Sequence, residues 1–385
     1  MKINLWVLAA AVLILFPALT AGQSMRLYTG KYNDQGGTGF QLIDLDLKAG
    51  AFRIAAEADA GPNPSYFCIA PTRDLIYAIN EVDEMHGRKA GGITTLAVDP
   101  ASGAVRKVSE LAVPNGGPCF ISQTADGMYL LVANYGGGSV AVVRLDDCGI
   151  PSVVTDTLLF RGPSGSSSRA HMIAPGPDGK RIYVTDLGLD RITVFVLDRA
   201  TGKLQALPNG ETGLTRGAGP RHFTFSRDGS ILYVINERNS TLTVFAVSSQ
   251  GLLQEIQTVS TLPEGYNGTN HCADIHLGKS GKYLYGTNRG HNSIVTFRVG
   301  RKGGLTLAGH TSCGGDWPRN FVIDPSGRYM IVANQRSNTL NLFALDKRSG
   351  LPRPMPASCT THAPACLQFA VRPGPSAGQM GQQGR

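Results

Sequence analysis

The chain has little that would carry it to nucleic acid. Only 7% of its 385 residues are aromatic and no basic run exceeds two residues, so its net charge of +8 is spread out and forms no face that could follow a phosphate backbone. It has no Cys-x-x-Cys pair. Its eight histidines and its carboxylates show no metal-ligand spacing, so no metal or other cofactor is expected. No Gly-x-Ser-x-Gly elbow nominates a serine nucleophile. Gly136-Gly137-Gly138-Ser139 has the composition of a phosphate loop, but no lysine follows and the next segment reads as a strand. Beyond the N-terminus no run is long enough to span a bilayer. The seven cysteines (68, 119, 148, 272, 313, 359 and 366) are an odd number. Cys359 and Cys366 are the nearest pair in sequence, and Cys68 and Cys119 read as buried thiols in or beside apolar strands.

What is abundant is glycine, 48 residues with 22 prolines, which points to many turns. At the N-terminus Lys2 precedes an apolar run from Leu5 to Leu19, followed by the small residues Thr20, Ala21 and Gly22. That is the layout of an export signal over residues 1–22, shorter than the ~20 apolar residues of a spanning helix. No cysteine follows for lipid attachment. The mature protein is expected outside the cytoplasm, in the periplasm, and free of the membrane.

The rest of the chain repeats. Asn80, Asn134, Asp186, Asn236, Asn288 and Asn334 each close a β-rich segment, at intervals of 54, 52, 50, 52 and 46 residues. Each unit has a short strand and a turn such as Ala125-Asp126-Gly127 or Arg227-Asp228-Gly229. A second strand then ends on the Asn or Asp, and an alternating third strand follows, such as SVAVVRL or TLTVFAV. Self-similarity at this period is the signature of a propeller with four strands per blade. Six units begin near Pro64, Pro118, Ala170, Pro220, Cys272 and Pro318. The front remainder (25–54) lacks a first strand and the back remainder (365–371) supplies only that, so together they make a seventh blade. The expectation is an all-β, seven-bladed β-propeller over residues 23–372, closed by both termini, with a Gly/Gln/Pro-rich disordered tail over 373–385.

In a propeller the first strand of each blade lines the channel, so equivalent positions form rings. One such ring is Ser65, Cys119, His171, Arg221, Ala273 and Arg319; the next is Tyr66, Phe120, Met172, His222, Asp274 and Asn320. After the Asn/Asp markers come Glu81, Tyr135, Leu187, Glu237, Arg289 and Gln335, at the same mouth by hairpin geometry. His171, Arg221, His222, Glu237, Asp274, Arg289 and Arg319 should therefore crowd one half of one funnel, supplied by four consecutive blades. A repeat needs no charge there, so their joint occurrence suggests a site. If strict alternation holds, His222 and Asp274 turn away from the channel into blade packing.

Several stretches resemble a known family: Asn134-Tyr135-Gly136-Gly137-Gly138-Ser139-Val140, Gly219-Pro220-Arg221-His222, Ala273-Asp274-Ile275-His276 and Asn288-Arg289-Gly290-His291-Asn292-Ser293. They are similar to the seven-bladed lactonase family that includes 6-phosphogluconolactonase and carboxy-cis,cis-muconate cyclase, over roughly residues 27–371. The resemblance implies a metal-independent site whose His, Arg, Glu and second Arg correspond to His171, Arg221, Glu237 and Arg319. It makes His222, Asp274, Arg289, Glu81 and Tyr135 candidates for binding substrate. It implies hydrolysis of a sugar lactone in carbohydrate metabolism. The partner is then a small lactone, anionic or sugar-derived, and the export signal favours an unphosphorylated aldonolactone. Glu237 or His171 would activate water, Arg221 and Arg319 would stabilise the oxyanion, and His171 would protonate the leaving ring oxygen. A cycloisomerase using the same residues, and a propeller that only binds a ligand or protein, stay open on the sequence.

Overall fold

A computed structural model describes residues 24–163 and 165–370. The expected export signal (1–22) and tail (373–385), with residues 23, 371 and 372 of the expected domain, lie outside the described residues. Within them the chain forms seven four-stranded antiparallel sheets and one short 3-10 turn, Arg301–Gly303. In chain order blade 1 has inner strand Phe67–Ile69, blade 2 Pro118–Gln123, blade 3 Ala170–Pro175, blade 4 Pro220–Phe225, blade 5 His271–Leu277 and blade 6 Pro318–Ile323. Blade 7 joins the two ends of the chain. Its inner strand Pro364–Phe369 pairs with Ser24–Lys31, followed by Gly39–Asp46 and Ala51–Asp59. This is the seven-bladed all-β ring expected from the repeat.

The core lies between blades. Tyr129, Leu131 and Ala133 of blade 2, for example, pack on Ala170, Ile173, Ile182 and Val184 of blade 3. The second strands are buried on both faces, as Leu75–Asn80, Tyr129–Asn134 and Ile231–Asn236 show along their whole length. This explains why they read as continuous apolar runs. The recurring Asn that ends these strands is a structural clip. Asn80 donates to the Ala60 carbonyl of the preceding blade at 2.7 Å, and Asn134, Asn288 and Asn334 do the same to Pro114, Thr261 and Cys313. All seven cysteines are free thiols, Cys359 and Cys366 included.

Candidate active site

The inner strands open with a bulge. Opposite the second strand, Pro118 pairs with Asn134 and Phe120 with Ala133, leaving Cys119 unpaired. The same slip leaves His171, Arg221 and Arg319 as the extra residues of blades 3, 4 and 6, and it falls across Ala273-Asp274 in blade 5. A bulge cancels alternation for one step and re-aims the side chains on either side of it. Hence both Arg221 and His222 lie at the channel, and His222 and Asp274 are not turned into blade packing as alternation predicts.

The upper layer is a web of guanidinium and carboxylate groups. Arg221 Nε donates to Glu237 Oε2 at 3.0 Å, and Arg289 Nη2 reaches the same oxygen at 2.7 Å. Both arginines also donate to backbone: Arg221 Nη1 to the Ala273 carbonyl at 2.5 Å, Arg289 to the carbonyls of His271 (3.2 Å) and Cys272 (2.9 Å). Across the funnel Arg319 donates to the Tyr32 hydroxyl at 2.6 Å and lies 3.9 Å from Glu81 Oε2. Tyr32 in turn donates to Glu81 at 2.7 Å, and the Ser65 hydroxyl bonds the same oxygen. Three guanidiniums thus face two carboxylates in this layer, and a third carboxylate, Asp274, lies in the layer below.

The next layer closes the channel. His222 donates from Nδ1 to Asp274 Oδ1 at 2.9 Å, and Asp274 Oδ2 accepts from Asn320 at 2.6 Å and from His276 at 2.9 Å. The His222 ring meets His171, Phe120 and Tyr66 edge-on, with centroids 5.1, 5.4 and 5.9 Å away, and Tyr66 stacks on Phe120 at 4.4 Å. His171 sits above this floor against Tyr135, 5.7 Å between centroids, and its buried Nδ1 has no hydrogen-bond partner among the described residues.

Burial governs the protonation states. It pushes the His171 imidazole well below its ordinary value, and Arg221, His222, Arg319 and Arg289 push the same way. Burial and Arg221 likewise bring His222 down to about 4, although Asp274 opposes them. For Glu237 burial acts upward, but Arg289 and Arg221 outweigh it and hold the carboxyl below its usual value. Burial lowers Arg289 to about 10 despite Glu237. At neutral pH His171 and His222 are therefore neutral imidazoles beside the ionised Glu237, while for His276 burial is outweighed by Asp274, which pushes it the other way, upward.

All nine expected residues reach this funnel or its floor, seven of them on the four consecutive blades 3 to 6, with the outward turn expected of His222 and Asp274 corrected by the bulge. Glu81 of blade 1 and Tyr135 of blade 2, both expected, and Tyr32 of blade 7, which was not, complete the ring. Tyr32 is the residue sequence reasoning missed. It follows Lys31, which pairs with Pro364 as Asn334 pairs with Pro318. Because the split blade carries Lys where the others carry Asn or Asp, a search on the marker passes over it. Outside the web the mouth opens on a depression of about 630 Å³ lined by Asn63, Glu81, Asp83, Tyr135, Arg169 and Arg238.

Comparison with known proteins bears on this geometry. The family profile described as lactonase, 7-bladed beta-propeller, matches residues 26–369. The chain belongs to this family. Lactone hydrolysis is the chemistry by which the lactonase family is described. Among individual relatives, the 6-phosphogluconolactonase of Bacillus subtilis (strain 168) is 28% identical over 348 residues, 89% of this chain and 97% of its own. That of Formosa agariphila is 29% identical over 356 residues, 89% and 99% respectively. The structure of the periplasmic gluconolactonase of Pseudomonas aeruginosa superposes with a TM-score of 0.85 at 32% identity, covering 91% of this chain and all of the other.

Proposed function

We propose that this lactonase opens an unphosphorylated sugar lactone to its aldonic acid outside the inner membrane, using His171, Arg221, Glu237 and Arg319 and no metal. The observation that carries the reading is the His171 imidazole, buried, neutral and within the field of three guanidiniums. A neutral imidazole can take a proton from water as it adds to the carbonyl carbon. Arg221 and Arg319, anchored on blades 4 and 6, receive the negative charge that develops on the carbonyl oxygen. The imidazolium then returns its proton to the ring oxygen as the carbon–oxygen bond breaks. The product acid ionises, and the guanidiniums at the mouth of the funnel suit that anion. Glu237, shared by two arginines, is better placed to hold them apart and aligned than to accept a proton.

Two features favour a substrate without phosphate. The outer depression sets Glu81 and Asp83 against Arg169 and Arg238, and Arg169 already donates to the carbonyls of Tyr135 (3.2 Å) and Gly136 (3.0 Å). A phosphate dianion finds no surplus charge there. The N-terminal segment also reads as an export signal, which accords with the compartment named for the Pseudomonas aeruginosa structure. The test is a panel of glucono-δ-lactone, its 6-phosphate and a muconate, assayed with wild type and Glu237→Ala. The expected result is rapid turnover of the unphosphorylated lactone, lost in the variant. Preference for the phosphorylated compound, or turnover of the muconate alone, would overturn the assignment.

A further inference from the structure

Five of the seven blades hold a residue in the left-handed region of backbone space immediately before the proline that opens the inner segment. These are Asn63 (φ 46°), Gly117 (58°), Gly219 (66°), Trp317 (67°) and Ala363 (40°). The conformation has a common use: the carbonyl of that residue accepts an N–H from the far end of the neighbouring strand. Glu81 bonds Asn63 at 3.0 Å, Gly136 bonds Gly117 at 3.1 Å and Glu237 bonds Gly219 at 2.7 Å. Gln335 bonds Trp317 at 3.0 Å, and Tyr32 bonds Ala363 at 3.2 Å. Glycine and asparagine enter this region readily, whereas a large aromatic residue there is an outlier held in place by its surroundings. The backbone alone gives no reason for tryptophan in blade 6.

The indole gives one. Two guanidiniums lie at its ring, the exposed Arg336 at 3.3 Å from its centroid and the buried Arg289 at 5.3 Å, with the His271 ring 5.8 Å away. Arg289 is the group that meets Glu237 at 2.7 Å. An aromatic face attracts a cation and keeps water from it, which strengthens that cation's other pairings. We infer that Trp317 is a positioning residue of the lactonase site, holding Arg289 on Glu237 at the expense of backbone strain. The inference rests on the functional reading above, because it gives Arg289 and Glu237 work to do in the reaction. Strain and positioning together make a specific demand: relieving the strain by removing the indole should harm the reaction without harming the fold.

The experiment compares full-chain wild type, Trp317→Gly and Trp317→Phe by thermal unfolding and by steady-state hydrolysis of glucono-δ-lactone. Trp317→Gly, which places in blade 6 the residue that blades 2 and 4 use, is expected to melt at or above the wild-type temperature. Its kcat should fall at least tenfold, with KM changed less than threefold, and Trp317→Phe should recover part of kcat. Wild-type turnover in Trp317→Gly, or a kcat loss that simply follows a lower melting temperature, overturns the inference. If wild type itself hydrolyses no lactone, the functional reading fails, and a second measurement still decides the clamp. Trp6 is the only other tryptophan in the chain, so emission lost in Trp317→Phe belongs to Trp317. Glu237→Gln should shift that emission by altering the cation beside the indole, and an unchanged spectrum overturns the clamp.

Discussion

Arg221 carries more of the site than any other side chain. It is 3% exposed, spans Glu237 and the Ala273 carbonyl, and lies over the His222 ring with Nη1 3.3 Å from both ring nitrogens. By comparison with other oxyanion donors, Arg221→Ala should lower kcat by roughly 10²–10³, with a smaller change in KM, measured on the preferred lactone. A fall in kcat of less than about threefold would remove Arg221 from the transition state. His171 sets the pH dependence. Its proton is taken up only below its depressed pKa, so kcat/KM should stay flat as pH falls through ~6.5, the range where a free imidazole titrates. An acid limb centred at or above that value would show that His171 is not the base. Of these residues the types and ring positions were legible in the sequence, whereas the pairing of Arg319 with Tyr32 was not, since the two are 287 residues apart.

At the level of strands, the repeat has a staple as well as a clip. A tyrosine in the second strand donates to a turn carbonyl in the next blade: Tyr28 to Gly103 and Tyr77 to Gly149, both at 2.7 Å, and Tyr285 to Gly350 at 2.9 Å. Tyr233 occupies the corresponding place in blade 4, yet its buried hydroxyl has no partner among the described residues. Tyr77→Phe should therefore cost about 1 kcal/mol of stability, while Tyr233→Phe should be neutral or slightly stabilising, as urea midpoints would show. Equal losses at both positions would refute the staple. The strands themselves were readable from alternation and Asp-Gly turns. The bulges were not, because one unpaired residue leaves no mark in a pattern of period two, and on that slip hung the orientation of His222 and Asp274.

For the molecule as a whole, Asp274 is the point where blades meet. It accepts from His222 of blade 4 and from Asn320 of blade 6, and Asn320 in turn accepts the Leu367 N–H of blade 7 at 2.8 Å. His222 is held at about 4 by burial and Arg221, so the unfolded chain takes up a proton that the native one refuses. Its contribution to stability is complete above pH ~6.5 and is lost as pH falls toward about 4, by roughly 3 kcal/mol, with His171 acting in the same direction. Asp274 is depressed in the folded state, so its contribution persists until pH drops below the ordinary carboxylate range. The melting temperature should thus decline between pH 6.5 and 4, with a shallower slope in His222→Asn; a flat profile in wild type would contradict the assignment. Closure of the ring is the other global feature. A chain ending before Pro364 loses the buried Ala365, Cys366 and Leu367 and exposes the edge at Leu27–Lys31, and it should fail to give soluble folded protein on expression.

The sequence by itself determined the architecture: a period near fifty residues, turn chemistry and strand alternation are local properties, and seven units leave a closed ring as the way to cover every strand edge. It also determined which residue types stand at the channel mouth, because register within a hairpin follows from its turn. Only the tertiary structure decided which of them touch. Arg289 rather than Arg319 joins Arg221 on Glu237, Tyr32 enters from the split blade, and His222 faces the funnel because of a bulge. Those contacts lie within blade 4, between blades 4 and 5, and between blades 6 and 7 where the ring closes; they depend on side-chain reach and a one-residue slip, about which no periodicity carries information.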